Sequence, residues 1–178
     1  MTLSRPLAFL EVGQVVLDAC LVALTSPTAT GVDGAPARVV LQTGEVPEDL
    51  CDCGLLAVSV LRSYRSAAPP AETGGVVAGS SGAASPCVPP YAVAELAVRV
   101  VRCAPGPDAA GRPPTPAALA AAARQVESDA YEVECATLTA LEALDSDLAG
   151  WTVTTQQRVG PAGACAGSEL RAVVWVSR

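Results

Sequence analysis

The sequence predicts a single α+β domain over residues 1–178, with two helices packed on one face of a sheet rich in antiparallel pairs. Three observations lead to this prediction. An apolar stripe of helical period runs through residues 114–148, residues 54–65 and 91–103 alternate in the manner of β-strands, and the C-terminal part has a strand–turn–strand pattern. The predicted order is α-β-β-β-α-β-β.

The long helix over residues 114–148 is the strongest single prediction. Thr115 can cap its first free N–H groups, and Pro116 suits the first helical position because it has no N–H to satisfy. Apolar residues, from Leu119 to Leu148, recur at steps of three and four, and acidic residues occupy the other face. Such a helix is about 50 Å long at 1.5 Å per residue. We therefore expect it to lie across a sheet or against a neighbouring subunit.

An N-terminal helix is predicted to start at Ser4 and to end at Ser26. Its apolar residues point to more than one side, which predicts that it is covered on both sides. Glu11, Gln14 and Asp18 interrupt the apolar run, and no basic cluster precedes it. The run is therefore expected to be a core helix, and not a signal peptide or a membrane span.

Three strands are predicted between the helices, at residues 37–43, 54–65 and 91–103. In the second strand Leu56, Val58 and Val60 share one face, and regular alternation predicts that Arg62 and Tyr64 extend that face. In the third strand Glu95 and Arg99 lie on one face, two steps apart. We expect them to form a solvated or intersubunit pair.

Two further strands, at residues 151–158 and 170–176, predict a terminal hairpin around the turn 160–167. Trp175 and Val173 lie on the face opposite Val174 and Val176, so this strand is expected to be covered on both faces. Residues 66–90 are predicted to form a low-complexity Pro/Gly/Ser/Ala loop that is either mobile or ordered by contact with another molecule. Residues 104–114 are predicted to be a linker.

The composition excludes several kinds of chemistry. The chain contains no His and no Lys, so there is no imidazole base, no Schiff base and no P-loop lysine. A net charge of −7 argues against a groove that grips phosphates, although an acidic wall could line a passage through which DNA slides. Aromatic residues are only 3%, so Ala, Val and Leu must fill the core.

Candidate catalytic and metal-binding groups are weak. Of the acidic residues in the long helix, only Asp129 with Glu132 and Glu127 with Glu134 project together, which favours a solvated face over a cation site. The glycine-rich turns do not lead from a strand into a helix, as a phosphate site requires. We therefore predict no catalytic residue, no cofactor and no metal, and a protein that is not an enzyme.

Seven cysteines leave two interpretations open. An odd number rules out complete pairing within the chain, and without His a zinc site would need four thiolates. Buried free thiols are the favoured interpretation, and disulfides formed in an oxidising medium are the alternative. The cysteines are Cys20, Cys51, Cys53, Cys87, Cys103, Cys135 and Cys165.

Several short motifs resemble the head–tail neck proteins of actinobacterial siphophages. They are Cys53-Gly54 before a long strand, a Pro/Ser-rich loop containing Cys87, the strand from Ala94-Glu95-Leu96 to Arg102-Cys103-Ala104-Pro105, a helix with Cys135, and the hairpin Gly160 to Gly167. The element order is also similar to that of the tail-terminator family. Together the motifs span most of the chain, and Cys20 and Cys51 depart from the pattern.

This resemblance implies a structural virion protein that forms a homohexameric ring, closes the tail tube and joins it to the neck. The implied partners are identical copies, the tail tube protein and connector proteins, with DNA passing through the lumen and no membrane. Assembly in the host cytoplasm and residence in the virion are implied as well. The alternatives are another head–tail completion or stopper protein, and a small binding module with a disordered recognition loop; a thiol- or metal-dependent enzyme is disfavoured. The residues expected at interfaces are Arg62, Tyr64, Glu95, Arg99, Glu127, Glu134 and Trp175.

Overall fold

The computed structural model describes residues 8–26, 35–46, 54–71, 91–162 and 165–177. The fold is α+β, and the predicted element order is confirmed. The two helices are α1 (Phe9–Thr25) and α2 (Pro116–Ala143). The five strands are β1 (Arg38–Thr43), β2 (Leu55–Ser66), β3 (Tyr91–Cys103), β4 (Gly150–Ala162) and β5 (Cys165–Ser177). Most of the predicted loop 66–90 lies outside the described residues, whereas the linker between β3 and α2 contains neither helix nor strand.

One five-stranded sheet has the order β1-β2-β3-β5-β4. Only β1 and β2 pair in parallel, and the other three pairs are antiparallel. Helix α1 packs on β1 and β2, and α2 packs on β5 and β3 beside it. Both helices contribute to one apolar core with Leu56, Val98 and Val174 of the sheet. The predicted packing of the helices on one face is therefore confirmed.

Helix α2 begins where its capping residues predict. The Thr115 hydroxyl accepts a hydrogen bond from the Ala118 N–H at 3.2 Å, and Pro116 occupies the first turn. The predicted apolar stripe is buried from Ala130 to Leu141, Leu144 is half-buried, and Leu119 is 50% exposed. The helix ends at Ala143, short of the predicted Leu148, and its 28 residues span roughly 42 Å.

Helix α1 is covered by the sheet and by α2, and its outer side is open. Its described N-terminus is at Phe9, where the Glu11 carboxylate accepts a hydrogen bond from the Ala8 N–H at 2.9 Å; the expected cap Ser4 lies outside the described residues. Val12, Val16 and Cys20 are fully buried, whereas Val22 is 69% exposed. The prediction of cover on both sides is therefore wrong for the single chain. Leu10, Val15 and Val22 stay more than a third exposed in the single chain.

A β-bulge corrects the predicted faces of β2. Val60 pairs with Leu96, but Arg62 pairs with Glu95, so Leu61 is an extra residue in the ladder. Because one inserted residue inverts the alternation, Arg62 and Tyr64 lie on the face opposite Val60. The prediction that they extend the apolar face of Leu56, Val58 and Val60 is wrong.

The terminal hairpin is confirmed, with longer strands and a shorter connection than predicted. Gly160 and Gly167, predicted as turn residues, lie within β4 and β5. A side chain at Gly167 would collide with the backbone carbonyl of Val100 on the neighbouring strand. Glycine is therefore needed there for close approach of two strands and not for a turn.

The cysteines divide into two groups. Cys103 and Cys165 are disulfide-bonded, which contradicts the favoured expectation of free thiols for these two. Cys20 and Cys135 are free. The other three cysteines lie outside the described residues. Within the described part of the chain, no helix is both long and apolar enough to cross a membrane.

Candidate functional site: a charged face of the sheet

The face of the sheet opposite the helices carries a row of alternating charges. We call the set Arg62, Glu95, Arg171, Glu169 and Arg99 the charged sheet face. The set spans β2, β3 and β5, and the pairing register brings these strands' polar side chains to the same side. The residues at even steps from them in β3 and β5, such as Val93 and Val173, share that side.

Each neighbouring pair in this row is joined by an ion pair. Arg62 Nε lies 2.7 Å from Glu95 Oε2, and Arg171 Nη1 lies 3.3 Å from Glu95 Oε1. Arg171 Nε also lies 2.8 Å from Glu169 Oε1. Arg99 Nε donates to Glu169 Oε2 at 2.9 Å, and its Nη2 donates to the same oxygen. Charge-assisted hydrogen bonds thus link three strands through their side chains.

Glu169 is the most enclosed member, with a side chain only 3% exposed. Burial raises the pKa of Glu169, but the hydrogen bonds from Arg171 and Arg99 outweigh it, and the net pKa lies below its ordinary value. The same bond to Glu169 raises the pKa of Arg171. Glu169 is therefore ionised at neutral pH and cannot donate a proton. The ion pairs of this face can link the strands to one another or bind a partner.

One end of the charged sheet face is aromatic and more open. Tyr64, Val93, Trp175 and Gly150 form a row across four strands. The Arg62 guanidinium lies 5.6 Å from the centroid of the Tyr64 ring, within cation–π range. The Trp175 ring covers Gly150 so closely that a Cβ there would lie 2.5 Å from it. Tyr, Trp and Arg are the residues that most often anchor protein–protein contacts.

The structure brings together five of the seven residues predicted at interfaces: Arg62, Tyr64, Glu95, Arg99 and Trp175. Glu95 and Arg99 share a face as predicted. They do not pair with each other, because Glu95 pairs with Arg62 and Arg171, and Arg99 pairs with Glu169. A solvated Glu95–Arg99 pair within one chain is therefore wrong, and the intersubunit alternative stays a prediction.

Glu127 and Glu134 of α2 lie apart from the charged sheet face. Arg158 of β4, on the helix side of the sheet, donates to Glu127 Oε1 at 2.8 Å and lowers the pKa of Glu127. Glu134 acts on Arg158 through space. Glu127 therefore links α2 to the sheet edge through Arg158, and Glu134 makes no direct contact of this kind among the described residues.

Sequence reasoning missed Glu169 and Arg171. The predicted strand began at residue 170 and the predicted turn ended at residue 167, so Glu169 belonged to neither and its alternation with Arg171, Val173 and Trp175 was not used. That alternation is visible in the sequence. Extending the strand by a few residues would have placed both charges on the side of Trp175.

Asp129 is buried, although it was predicted on a solvated face. Its carboxylate accepts from Arg102 Nε at 2.7 Å and from Gln125 Nε2 at 3.0 Å. Gln156 of β4 donates to the Ala130 carbonyl at 2.9 Å. Polar contacts thus hold the middle of α2 on the sheet. Among the described residues, no cluster of three acidic or thiol groups could hold a metal ion.

A second surface feature lies between the two helices. We call it the helix groove, a depression of about 590 Å³ with Val22, Ala23 and Ala136 among its lining residues and the carboxylates Asp18 and Glu132 beside them. Cys135, a free and half-buried thiol, also lines it. The groove and the charged sheet face are on opposite sides of the two-layered subunit.

No protein-family model matches the sequence, and no curated protein matches it.

Proposed function

We propose that this protein is a structural subunit of a phage virion that assembles into a ring at the head–tail interface, most simply as the tail terminator. The motifs of neck proteins in the sequence support this assignment. The open side of α1 is the structural observation that carries it. The function proposed is assembly, with the tail tube and neck proteins as further partners.

Helix α1 has more apolar surface than one chain covers. Leu10 is 43% exposed, Val15 38% and Val22 69%, all on one 17-residue helix. Val15 and Val22 are seven residues apart and therefore share one side of the helix, and exposed apolar side chains on the same side favour a contact with another molecule. A neighbouring subunit placed against this side of α1 would remove these side chains from water, which favours association by about 25 cal/mol per Å² of apolar area.

The layered shape favours a ring over a two-fold dimer. One side of the subunit presents helices with exposed valines, and the other presents a charged sheet with Tyr64 and Trp175. Two unlike surfaces on opposite sides associate head to tail, and a head-to-tail contact with suitable rotation closes into a ring. With a net charge of −7, such a ring could present an acidic lumen that DNA traverses without adhering.

Solution mass tests the proposal. We expect the purified chain to form a closed oligomer, six copies in the proposed case, whose fraction rises with concentration in native mass spectrometry and which is seen as rings by negative-stain microscopy. Val22→Asp should weaken this association, because it places a charge in the contact, whereas Thr25→Asp at the exposed end of α1 is the matched control. Rings should also bind the open end of purified tail tubes. A chain that stays monomeric at every concentration and does not bind tail tubes would refute the proposed ring-forming role and favour a binding module.

A further inference from the structure

We infer that the open end of the charged sheet face of one copy docks on the helix groove of the next copy, with the Arg62 guanidinium between Asp18 and Glu132 and the Tyr64 ring beside Val22. The inference rests on the proposed function, because it names the contact by which the ring would form. The occupant of the helix groove is thus a second copy of this chain.

The helix groove combines apolar walls with uncompensated negative charge. Val22 is the most exposed large apolar residue of the described chain, at 69%. The Asp18 carboxylate accepts a hydrogen bond from Gln14 at 2.8 Å, and within the described residues neither Asp18 nor Glu132 has an ion-pair partner. An apolar depression with two carboxylates fits a partner that presents a guanidinium next to an aromatic ring.

The charged sheet face supplies that combination. Its three arginines and two glutamates give a local net charge of 3 − 2 = +1 on a chain whose total is −7. The positive group is also the outer one, since the Arg62 side chain is 56% exposed and that of Glu95 only 13%. Tyr64 lies against the Arg62 guanidinium. The Glu95 carboxylate is therefore shielded, and the groups that this end of the face offers are the exposed Arg62 and the half-buried Tyr64, whose hydroxyl donates to the Pro70 carbonyl.

The position of the two surfaces fits a closed ring. The helix groove lies in the helix layer, and Arg62 lies on the opposite side of the sheet. Each copy therefore offers both halves of the contact to different neighbours, and no copy can satisfy its own groove. This geometry gives a heterologous interface. In a ring, each subunit contacts one neighbour through its helix groove and the other neighbour through its charged sheet face.

A charge swap tests the contact. Arg62→Glu should weaken association roughly tenfold or more, because two carboxylates of the groove would then face a third. Glu132→Arg should have a similar effect. The double variant R62E/E132R restores opposite charges across the interface and should regain most of the association. Arg112→Glu, at a linker arginine with a 79% exposed side chain, is the matched control for loss of a surface arginine. Thermal unfolding of each variant as a monomer checks that the fold is kept.

Labelling of Cys135 gives an independent readout. Because Cys135 lines the helix groove, assembly should slow its reaction with a maleimide at least severalfold, and R62E should abolish that protection. Wild-type rings with unprotected Cys135, or rings that R62E leaves unchanged, would overturn this contact and leave the proposed function standing. A wild-type chain that never associates would overturn both. Protection together with rescue by the double variant supports the contact.

Discussion

Neutralisation of Glu169 should destabilise the fold. This residue is 2% exposed and receives hydrogen bonds from Arg99 and Arg171. In Glu169→Gln the two guanidinium groups keep their charge and lose the carboxylate between them. Removing one partner of a buried ion pair costs about 3–5 kcal/mol. Because the Arg99 and Arg171 side chains stay 19% and 34% exposed, we expect a smaller loss, about 1–3 kcal/mol in the free energy of unfolding, measured by urea denaturation. The exposed Glu142→Gln should change it by less than about 0.5 kcal/mol.

The pH dependence gives the same prediction a second readout. The pKa of folded Glu169 lies below the ordinary value, so folding favours the ionised form. Its contribution is therefore complete above the pKa of the unfolded chain and is lost as the pH falls through the lower, folded pKa. The stability difference between wild type and E169Q should shrink as the solution is acidified below about pH 4. An equal difference at pH 3 and pH 7 would contradict the role given to this carboxylate.

At the scale of elements, β2 separates what the sequence can predict from what it cannot. Alternation correctly predicts a strand and its apolar residues Leu56, Val58 and Val60. The bulge at Leu61 is decided by pairing with β3, because β2 needs one extra residue between the partners of Leu96 and Glu95. No local pattern in β2 signals that need. The two residues beyond the bulge, Arg62 and Tyr64, were therefore assigned to the wrong face.

Helix α2 likewise has some features that the sequence predicts and others that it does not. The cap at Thr115 and the apolar stripe of α2 are local properties, and both were predicted. Burial of Asp129 is a tertiary property, because it depends on Arg102 arriving from β3 to neutralise it. The helical spacing in the sequence did not distinguish Asp129 from the exposed carboxylates of the same helix. Which of the helix carboxylates is buried depends on the packing of the sheet, because that packing determines which carboxylate lies next to an arginine.

Removal of the bulge residue should be tolerated. Deleting Leu61 leaves Val60 facing the helices and Arg62 facing the other side, so the ladder with β3 becomes regular without moving any later side chain across the sheet. Deleting Val98 from the middle of β3, where the register has no bulge, would instead invert one half of a central strand. We expect cooperative thermal unfolding and dispersed amide NMR signals for the Leu61 deletion, and neither for the Val98 deletion. Loss of folding in both would show that the bulge itself is required.

At the scale of the whole molecule, oxidation should set the stability of the chain. Cys103 and Cys165 lie opposite each other at the ends of β3 and β5, and both are disulfide-bonded. Bonds at this end of the sheet restrict the unfolded chain, and removing such bonds typically costs about 2–5 kcal/mol. If assembly takes place in the host cytoplasm, as the resemblance to neck proteins implies, these bonds would form only after release and would then strengthen the finished particle.

Reduction under native conditions should therefore lower the denaturation midpoint of the wild-type chain. The variant in which Cys103 and Cys165 are both replaced by Ser should have the lower denaturation midpoint already without reductant. It no longer has disulfides at these two positions for a reductant to break. The labelling rate of Cys20 reports unfolding. Cys20 is fully buried, and burial raises its pKa to about 11, which leaves little reactive thiolate in the folded state. Its labelling should follow global unfolding and accelerate after reduction, as the unfolded fraction grows. If reductant changes neither the midpoint nor the labelling of Cys20, the disulfides contribute nothing to the stability of the whole molecule.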